Sequence, residues 1–213
     1  MTGPLPLVEY DAVVLAGGRA TRLGGASKAR LVVDGARLLD RALAASERAR
    51  TVVAVGPPEL AGVLPAASAG GAGPRTVLTQ EDPPFGGPVA GLAAGLRALP
   101  APSASWTLLL AVDVPHAAGA IALLEQAVSR EPSDGAYLVR DGRPQWLVGL
   151  YRRAALDVAL REIEADGAPM KRLVSGLHCT QVPDPTGWSD DIDTPADAAR
   201  LGAATGDDRK DPR

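Results

Sequence analysis

A short apolar run that ends in a glycine-rich, basic loop constrains this chain more than any other feature. The run spans residues 10–16, which predicts a buried strand, and Gly17 and Gly18 follow it directly. Glycine lets backbone N–H groups approach a ligand closely, and consecutive backbone donors form a concavity that binds anions. Arg22 and Lys28, on the same loop, add charge-assisted hydrogen bonds to phosphate oxygens. The loop therefore predicts a site for a nucleoside triphosphate.

Charge and motif content narrow the class of ligand. The 213 residues include 22 basic and 25 acidic side chains, and this balance argues against nucleic-acid binding, which requires a basic excess. The loop has neither the Gly-Lys-Ser/Thr ending of a Walker A motif nor the Gly-x-Gly-x-x-Gly pattern that binds dinucleotides. Cys179 is the only cysteine, which excludes an intrachain disulfide. Because we find no signal peptide and no apolar segment long enough to span a bilayer, we expect a cytoplasmic protein with no membrane partner.

Alternating strand and helix patterns predict an α/β fold with a doubly wound, mostly parallel sheet. The predicted strands cover residues 10–16, 31–33, 51–55, 76–79, 106–112 and 177–182. The predicted helices cover residues 37–48, 89–99, 119–130 and 153–165. Asp141-Gly142 between two strand-like runs predicts an inserted β-hairpin, and Thr194-Pro195 with Asp197 predicts the start of a last helix. We expect one domain over residues 8–202 and a disordered tail over residues 203–213.

Three aspartates are candidate metal ligands. Asp113 ends the most apolar predicted strand, and the carboxyl ends of parallel strands are where such sheets bind ligands. Asp191 and Asp193 would share a face if their segment is extended. Carboxylate oxygens suit Mg²⁺, which a triphosphate site needs. We therefore predict that Asp113 and Asp193 bind Mg²⁺, with Asp191 as the alternative to Asp193, while helix capping and interaction with a helix dipole stay open as their other roles.

The segment before the second long helix predicts the base-binding side of the site. Asp82 carries a carboxylate that can accept hydrogen bonds from both N1–H and the exocyclic amine of guanine, although capping a turn is an equally open role. Gly86 and Gly87 would allow the backbone to approach a base or ribose closely. Trp146 and Tyr151 of the predicted hairpin could line a pocket for a flat ring, but we expect them in the core.

Together these motifs resemble the molybdenum cofactor guanylyltransferase family, within the nucleotidyltransferases that have a Rossmann-like sheet. The resemblance covers residues 11–201 and is carried by residues 15–28, 81–91, 112–115 and 193–197. Two positions depart from the family pattern. Asp191 and Asp193 stand where well-known members carry asparagines, and Val55 stands where a polar nucleotide contact is expected.

The resemblance implies a function and the residues that perform it. Members of the family join GMP from GTP to the terminal phosphate of molybdopterin and release pyrophosphate. By position, Arg22 and Lys28 would stabilise charge on the reacting phosphates, and Asp113 would hold Mg²⁺. The residues implied or predicted to contact the nucleotide are Leu15, Ala16, Gly17, Gly18, Lys28, Asp82, Gly87 and Asp113.

Two other functions stay open at this stage. One is a related nucleotidyltransferase that uses CTP on the same cofactor, as the acidic closing motif allows, or GTP on another phosphorylated acceptor. The other is a module that binds the nucleotide without catalysis. The partners that the resemblance implies are GTP and molybdopterin, with transient contact to molybdoenzymes or cofactor-delivery proteins.

Overall fold

The structure is a computed structural model that describes residues 8–18, 28–65 and 73–205. The strands are β1 (Tyr10–Leu15), β2 (Leu31–Val33), β3 (Ala36–Arg37), β4 (Thr51–Val55), β5 (Arg75–Thr79), β6 (Trp106–Ala111), β7 (Gly135–Arg140), β8 (Arg143–Arg152), β9 (Cys179–Pro183) and β10 (Ala203–Thr205). The helices are α1 (Leu38–Ala45), α2 (Gly87–Ala98), α3 (Ala118–Arg130), α4 (Arg153–Arg161), α5 (Met170–Val174) and α6 (Pro195–Arg200), and Lys28–Arg30 and Pro58–Gly62 form 3-10 helices.

A seven-stranded sheet in the order β5-β4-β1-β6-β8-β7-β9 forms the centre of the molecule. Strands β5, β4, β1 and β6 pair in parallel, as do β7 and β9, whereas β8 is antiparallel to both of its neighbours. From Ala12 to Leu15, β1 is paired on both sides and covered on both faces, and these residues are apolar without interruption, which is the pattern of a buried parallel strand. The predicted mostly parallel sheet with an inserted hairpin is confirmed.

Helices cover both faces of this sheet, as a doubly wound fold requires. Successive residues of β1 point to opposite faces, so that Val14 packs among residues of α1 and α3, whereas Val13 packs among residues of α2, α4 and α5. Among the described residues, no helix is both long and apolar enough to cross a bilayer.

Helix α2 lies unusually close to the sheet because glycines face it. A Cβ atom on Gly95 would lie 2.5 Å from Cγ1 of Val13, and one on Gly91 would lie 3.1 Å from Cδ2 of Leu15. Gly87 opens the helix with a φ of 86°, a conformation that favours glycine. The close packing brings the first turn of α2 next to the ends of the central strands.

A second, three-stranded sheet in the order β10-β2-β3 corrects the predicted extent of the tail. Ala203–Thr205, assigned from sequence to a disordered tail, pairs antiparallel with Leu31–Val33. A three-residue strand has too short a pattern to be recognised from sequence, and only its partner strand reveals it. Residues 206–213, the rest of the predicted tail, lie outside the described residues.

The predicted helices are present, with ends that differ from the predicted ones by up to four residues. Helix α1 begins one residue after the predicted start and ends at Ala45, where the hydroxyl of Ser46 donates to the Ala42 carbonyl at 2.9 Å and the chain turns. Helix α4 ends at Arg161 rather than at residue 165. These shifts do not move the residues predicted to carry the chemistry.

Candidate active site

The candidate active site lies at the carboxyl ends of the central strands. Leu15 at the end of β1 is level with Val55 of β4 and with Ala111 of β6. Asp113 follows β6 by two residues, and the Val112 backbone N–H donates to the Leu15 carbonyl at 3.0 Å. This register places Asp113 beside Gly17 and Gly18, as expected from the position of each motif after its strand.

Lys28 connects the glycine-rich loop to the carboxylates. Its ammonium group donates to Oδ2 of Asp113 at 2.7 Å and also to Oδ1 of Asp193. Burial alone would lower the pKa of Lys28, but the charges and hydrogen bonds of Asp113 and then Asp193 outweigh it and raise the pKa above its usual value. Lys28 is therefore a stable cation at this position.

Asp113, Asp191 and Asp193 form a carboxylate cluster. One oxygen from each lies within 4.8 Å of the others. The protein atoms around the carboxyl of Asp191, and then the negative charges of Asp193 and Asp113, raise its pKa to about 6. At neutral pH the cluster with Lys28 keeps about two negative charges among the described side chains, because three carboxylates face one ammonium group. Hard oxygen donors with this net charge fit a divalent cation such as Mg²⁺.

Ile192 fixes the orientation of the carboxylates of its neighbours, Asp191 and Asp193. Its side chain is fully buried in the core, and its backbone N–H donates to the carbonyl of Asp113 at 3.0 Å. Because neighbouring side chains of an extended segment point in opposite directions, Asp191 and Asp193 are both turned towards the cluster. The next residue, Thr194, begins α6 with the reciprocal cap predicted from sequence: its hydroxyl accepts from the Asp197 backbone N–H at 3.1 Å, and the Asp197 carboxylate accepts from the Thr194 N–H at 3.0 Å.

Asp184 orders the loop that leads into the cluster. Its buried carboxylate accepts from the backbone N–H groups of Gly187, Trp188 and Ser189 at 3.0, 3.1 and 2.8 Å. The Ser189 hydroxyl donates to it at 2.6 Å. Burial alone would raise the pKa of Asp184, but these hydrogen bonds outweigh it and lower the pKa below its usual value. The ionised carboxylate of Asp184 therefore stabilises the conformation of the loop over residues 184–189.

A cavity of about 570 Å³ extends from the cluster along the ends of the strands. Its lining residues follow several strands of the sheet: Asp113 follows β6, whereas Glu81 follows β5, and β1 and β4 lie between these two strands. Leu15 and Val55, at the ends of β1 and β4, line the cavity with apolar side chains, as does Leu147 of β8. The volume is within the range of small-molecule sites.

Most of the predicted site residues meet at this cavity. Six of them line it: Leu15, Gly17, Gly18, Lys28, Gly87 and Asp113. Ala16 is buried, and its backbone N–H donates to the Val55 carbonyl at 2.7 Å, so this donor is already used within the sheet. Asp82 is exposed and does not line the cavity. Arg22 lies outside the described residues, and its role stays a prediction.

Among the lining residues that sequence reasoning did not predict for the site are Glu81 and Leu147. Glu81 lies next to the predicted Asp82, and a loop pattern does not show which of two adjacent side chains turns inwards. Leu147 lies beside Trp146, which packs against the core together with the fully buried Tyr151, as expected. The signal that could have found Leu147 is the alternation of side chains along β8.

Comparison with known families agrees with this geometry. Residues 12–181 match the family model described as the MobA-like NTP transferase domain. The chain is 35% identical over 156 residues to the molybdenum cofactor guanylyltransferase of Acidiphilium cryptum, and the aligned region covers 73% of this chain and 74% of that protein. It is 28% identical over 211 residues to the molybdenum cofactor guanylyltransferase of Nitrobacter hamburgensis, and the aligned region covers 91% of this chain and 95% of that protein.

A solved structure shares the fold. The crystal structure of molybdopterin-guanine dinucleotide biosynthesis protein A from Archaeoglobus fulgidus superposes with a TM-score of 0.62 at 20% identity, covering 90% of this chain and 96% of that chain. At this identity the likeness concerns the arrangement of strands and helices.

Proposed function

The chain belongs to the family of MobA-like NTP transferase domains and is a nucleotidyltransferase, and from this premise we propose that it transfers GMP from GTP to the terminal phosphate of molybdopterin. The observation that carries the proposal is the contact of Lys28 with Asp113 and Asp193 at the cavity that Gly17 and Gly18 also line. Glycine amides, one ammonium group and a carboxylate cluster are the groups that a metal-bound triphosphate requires. The names of the two relatives support the choice of guanylyl transfer.

The proposed reaction needs positioning and charge neutralisation rather than a protein nucleophile. An oxygen of the acceptor phosphate attacks the α-phosphorus of GTP, the bond from that phosphorus to the bridging oxygen of the β-phosphate breaks, and pyrophosphate leaves. Lys28, which lines the cavity, would face the negative charge that develops on these phosphates. Asp113 and Asp193, with Asp191 beside them, would hold Mg²⁺, which when bound neutralises the triphosphate. The apolar walls near Leu15 and Val55 would orient the nucleotide.

A pyrophosphate-release assay tests this function directly. Purified protein with Mg²⁺, GTP and molybdopterin should release one pyrophosphate for each molybdopterin guanylylated, and calorimetry should show tighter binding of Mg·GTP than of Mg·CTP. Binding of GTP without pyrophosphate release would instead identify a non-catalytic binding module.

The same assay on an Asp113→Asn variant tests the cluster. We expect turnover to fall at least 100-fold because the amide removes a negative ligand from the proposed metal site. The thermal unfolding midpoint should stay within a few degrees, since the side chain is not in the core. Asp40→Asn, a change on the surface of α1, is the matched control and should leave turnover unchanged. Wild-type rates in Asp113→Asn would reject the assignment.

The acidic pair Asp191 and Asp193 favours a second candidate, transfer of CMP from CTP to the same acceptor, because the closing motif of related cytidylyltransferases is acidic. The calorimetric comparison of Mg·GTP with Mg·CTP separates the two candidates.

A further inference from the structure

Two adjacent carboxylates follow β5, and the structure separates their positions. Glu81 is partly buried and lines the cavity, and β4 and β1 lie between the strand that it follows and the strand that Asp113 follows. Asp82 is exposed and does not line it. A carboxylate that recognises a base must reach the space in which the base lies, and of this pair only Glu81 does so.

The carboxylate of Glu81 is held in place by the backbone of its own loop. Its Oε1 accepts a hydrogen bond from the Phe85 N–H at 3.0 Å, across four residues. The loop is itself attached to a neighbouring segment, because the Gly167 N–H donates to the Gly86 carbonyl at 2.8 Å. A Cβ atom on Gly86 would lie 2.6 Å from Oδ1 of Asp166, which shows how closely the two segments pack. The second oxygen, Oε2, can therefore be presented from a fixed position.

The cavity suits a nucleotide lying along it. Lys28 and its partner Asp113 line the side towards β6, where a triphosphate would lie, and Glu81 lines the side towards β5. The walls between them are formed by Leu15, Val55 and Gly91, which offer no polar side chain to a base. The edge of a base in this space could form hydrogen bonds with the carboxylate of Glu81.

We propose that Glu81, rather than Asp82, is the residue that selects guanine. The inference rests on the proposed function. N1–H and the 2-amino group of guanine are adjacent donors, and a carboxylate is a pure acceptor, so the two groups form a pair of charge-assisted hydrogen bonds. Cytosine presents N3 and O2 as acceptors at the corresponding edge, and these would face the negative charge of Glu81 without a proton between them. A buried polar group that the wrong ligand leaves unpaired is a strong source of discrimination.

Calorimetry with three nucleotides tests the proposal. Mg·GTP, Mg·CTP and Mg·ITP are titrated into the wild type, Glu81→Gln and Asp82→Asn. Inosine triphosphate lacks only the 2-amino group, so the ratio of GTP to ITP affinity reports on the carboxylate contact. Glutamine keeps the shape of Glu81 and an oxygen that can accept from the Phe85 N–H, so that the loop stays in place.

We expect the wild type to bind GTP at least tenfold more tightly than ITP, since a hydrogen bond to a charged group is lost with the amine. In Glu81→Gln this ratio should fall to about one, whereas Asp82→Asn should keep the wild-type ratio. If the ratio of GTP to ITP affinity fell to about one in Asp82→Asn but not in Glu81→Gln, the inference would be overturned in favour of Asp82. A wild type that prefers CTP would overturn the proposed function itself, and this outcome is distinguishable because it is read from the unmutated protein.

Discussion

Lys28 is the cation that contacts the carboxylate cluster among the described residues, and it offsets part of the cluster's negative charge. Its ammonium group contacts Asp113 at 2.7 Å, and its side chain is 22% exposed. It would therefore compete with any cation that approaches the carboxylate cluster, and in the proposed function it would also contact the phosphates of a bound nucleotide. Substitution of this residue should affect metal and nucleotide binding in opposite directions.

We expect Lys28→Met to bind Mn²⁺ more tightly than the wild type in the absence of nucleotide, roughly five- to tenfold, because three carboxylates lose their only described counter-charge. GTP without metal should bind more weakly to the variant. Calorimetric titration with Mn²⁺ and with GTP measures both effects. Lys171→Met, on the exposed face of α5, is the control and should change neither. Equal Mn²⁺ affinity in Lys28→Met and the wild type would mean that Lys28 does not face the cluster in solution.

Asp184 is a second residue whose charge has a measurable consequence. Because its pKa in the folded state is lower than in the unfolded state, its hydrogen bonds stabilise the fold fully above the usual value of 3.8, and the stabilisation is lost as the pH falls below it. We expect Asp184→Asn to lower the free energy of unfolding at pH 7 by about 2 kcal/mol.

The difference between the wild type and Asp184→Asn should shrink as the pH is lowered from 4 towards 2, because the wild-type carboxylate becomes protonated there. Urea unfolding at a series of pH values checks this. The control Glu131→Gln changes an exposed carboxyl, and its free energy of unfolding should vary with pH in the same way as that of the wild type. A gap between Asp184→Asn and the wild type that does not depend on pH would indicate that only shape matters at this position.

At the scale of elements, the closeness of α2 to the sheet is the feature with the clearest energetic cost. Alanine normally favours a helix over glycine by about 1 kcal/mol. At Gly95 the added methyl group would lie 2.5 Å from Cγ1 of Val13, a stiff and fully buried side chain. We expect Gly95→Ala to lower the free energy of unfolding by about 1–2 kcal/mol despite its better helix propensity.

Gly91→Ala in the same helix is the matched comparison, because its methyl group would approach the end of a more flexible side chain, Leu15, at 3.1 Å. Its effect on urea unfolding should be clearly smaller than that of Gly95→Ala. If both variants are stabilised, the helix lies farther from β1 than the structure shows.

How much the sequence predicts also differs among elements. The strands β1, β4 and β6 are buried on both faces, so their apolar runs predict them within one residue. Strands β3 and β10 were not predicted, because two or three residues carry no recognisable period and form only where a partner strand is present. Helix ends shift because side-chain bonds such as that of Ser46 decide them locally.

In the candidate site, too, some positions could be predicted from the sequence and others depend on contacts made only in the folded chain. Asp113, Lys28 and Gly87 were predicted to meet because strand ends in a parallel sheet share one edge, and they do line one cavity. The inward position of Glu81 depends on how the loop after β5 folds back onto its own backbone. Such a contact follows from three-dimensional packing and has no counterpart in residue type or spacing.

At the scale of the whole molecule, β10 connects the end of the described chain to the region of Lys28. It pairs with Leu31–Val33, which follows Lys28–Arg30 directly. Truncation after Gly202 would remove this partner, and we expect Mg·GTP affinity to fall at least fivefold because Lys28 loses the support of its neighbouring strand.

Truncation after Thr205 keeps β10 and is the matched control. Its affinity for Mg·GTP should equal that of the wild type. Hydrogen exchange of the amides of residues 31–33 gives an independent measure, since exchange should accelerate only in the shorter variant. Unchanged exchange in both variants would mean that β2 is held by β3 and the core alone.

The contacts of Lys28 join residues that are 85 and 165 positions apart along the chain. During translation, a nascent polypeptide presents its basic loop long before the ribosome has added Asp193. Until then Lys28 lacks one of its two carboxylate partners. A product of synthesis that ends before Asp191 would therefore lack two of the three carboxylates of the cluster.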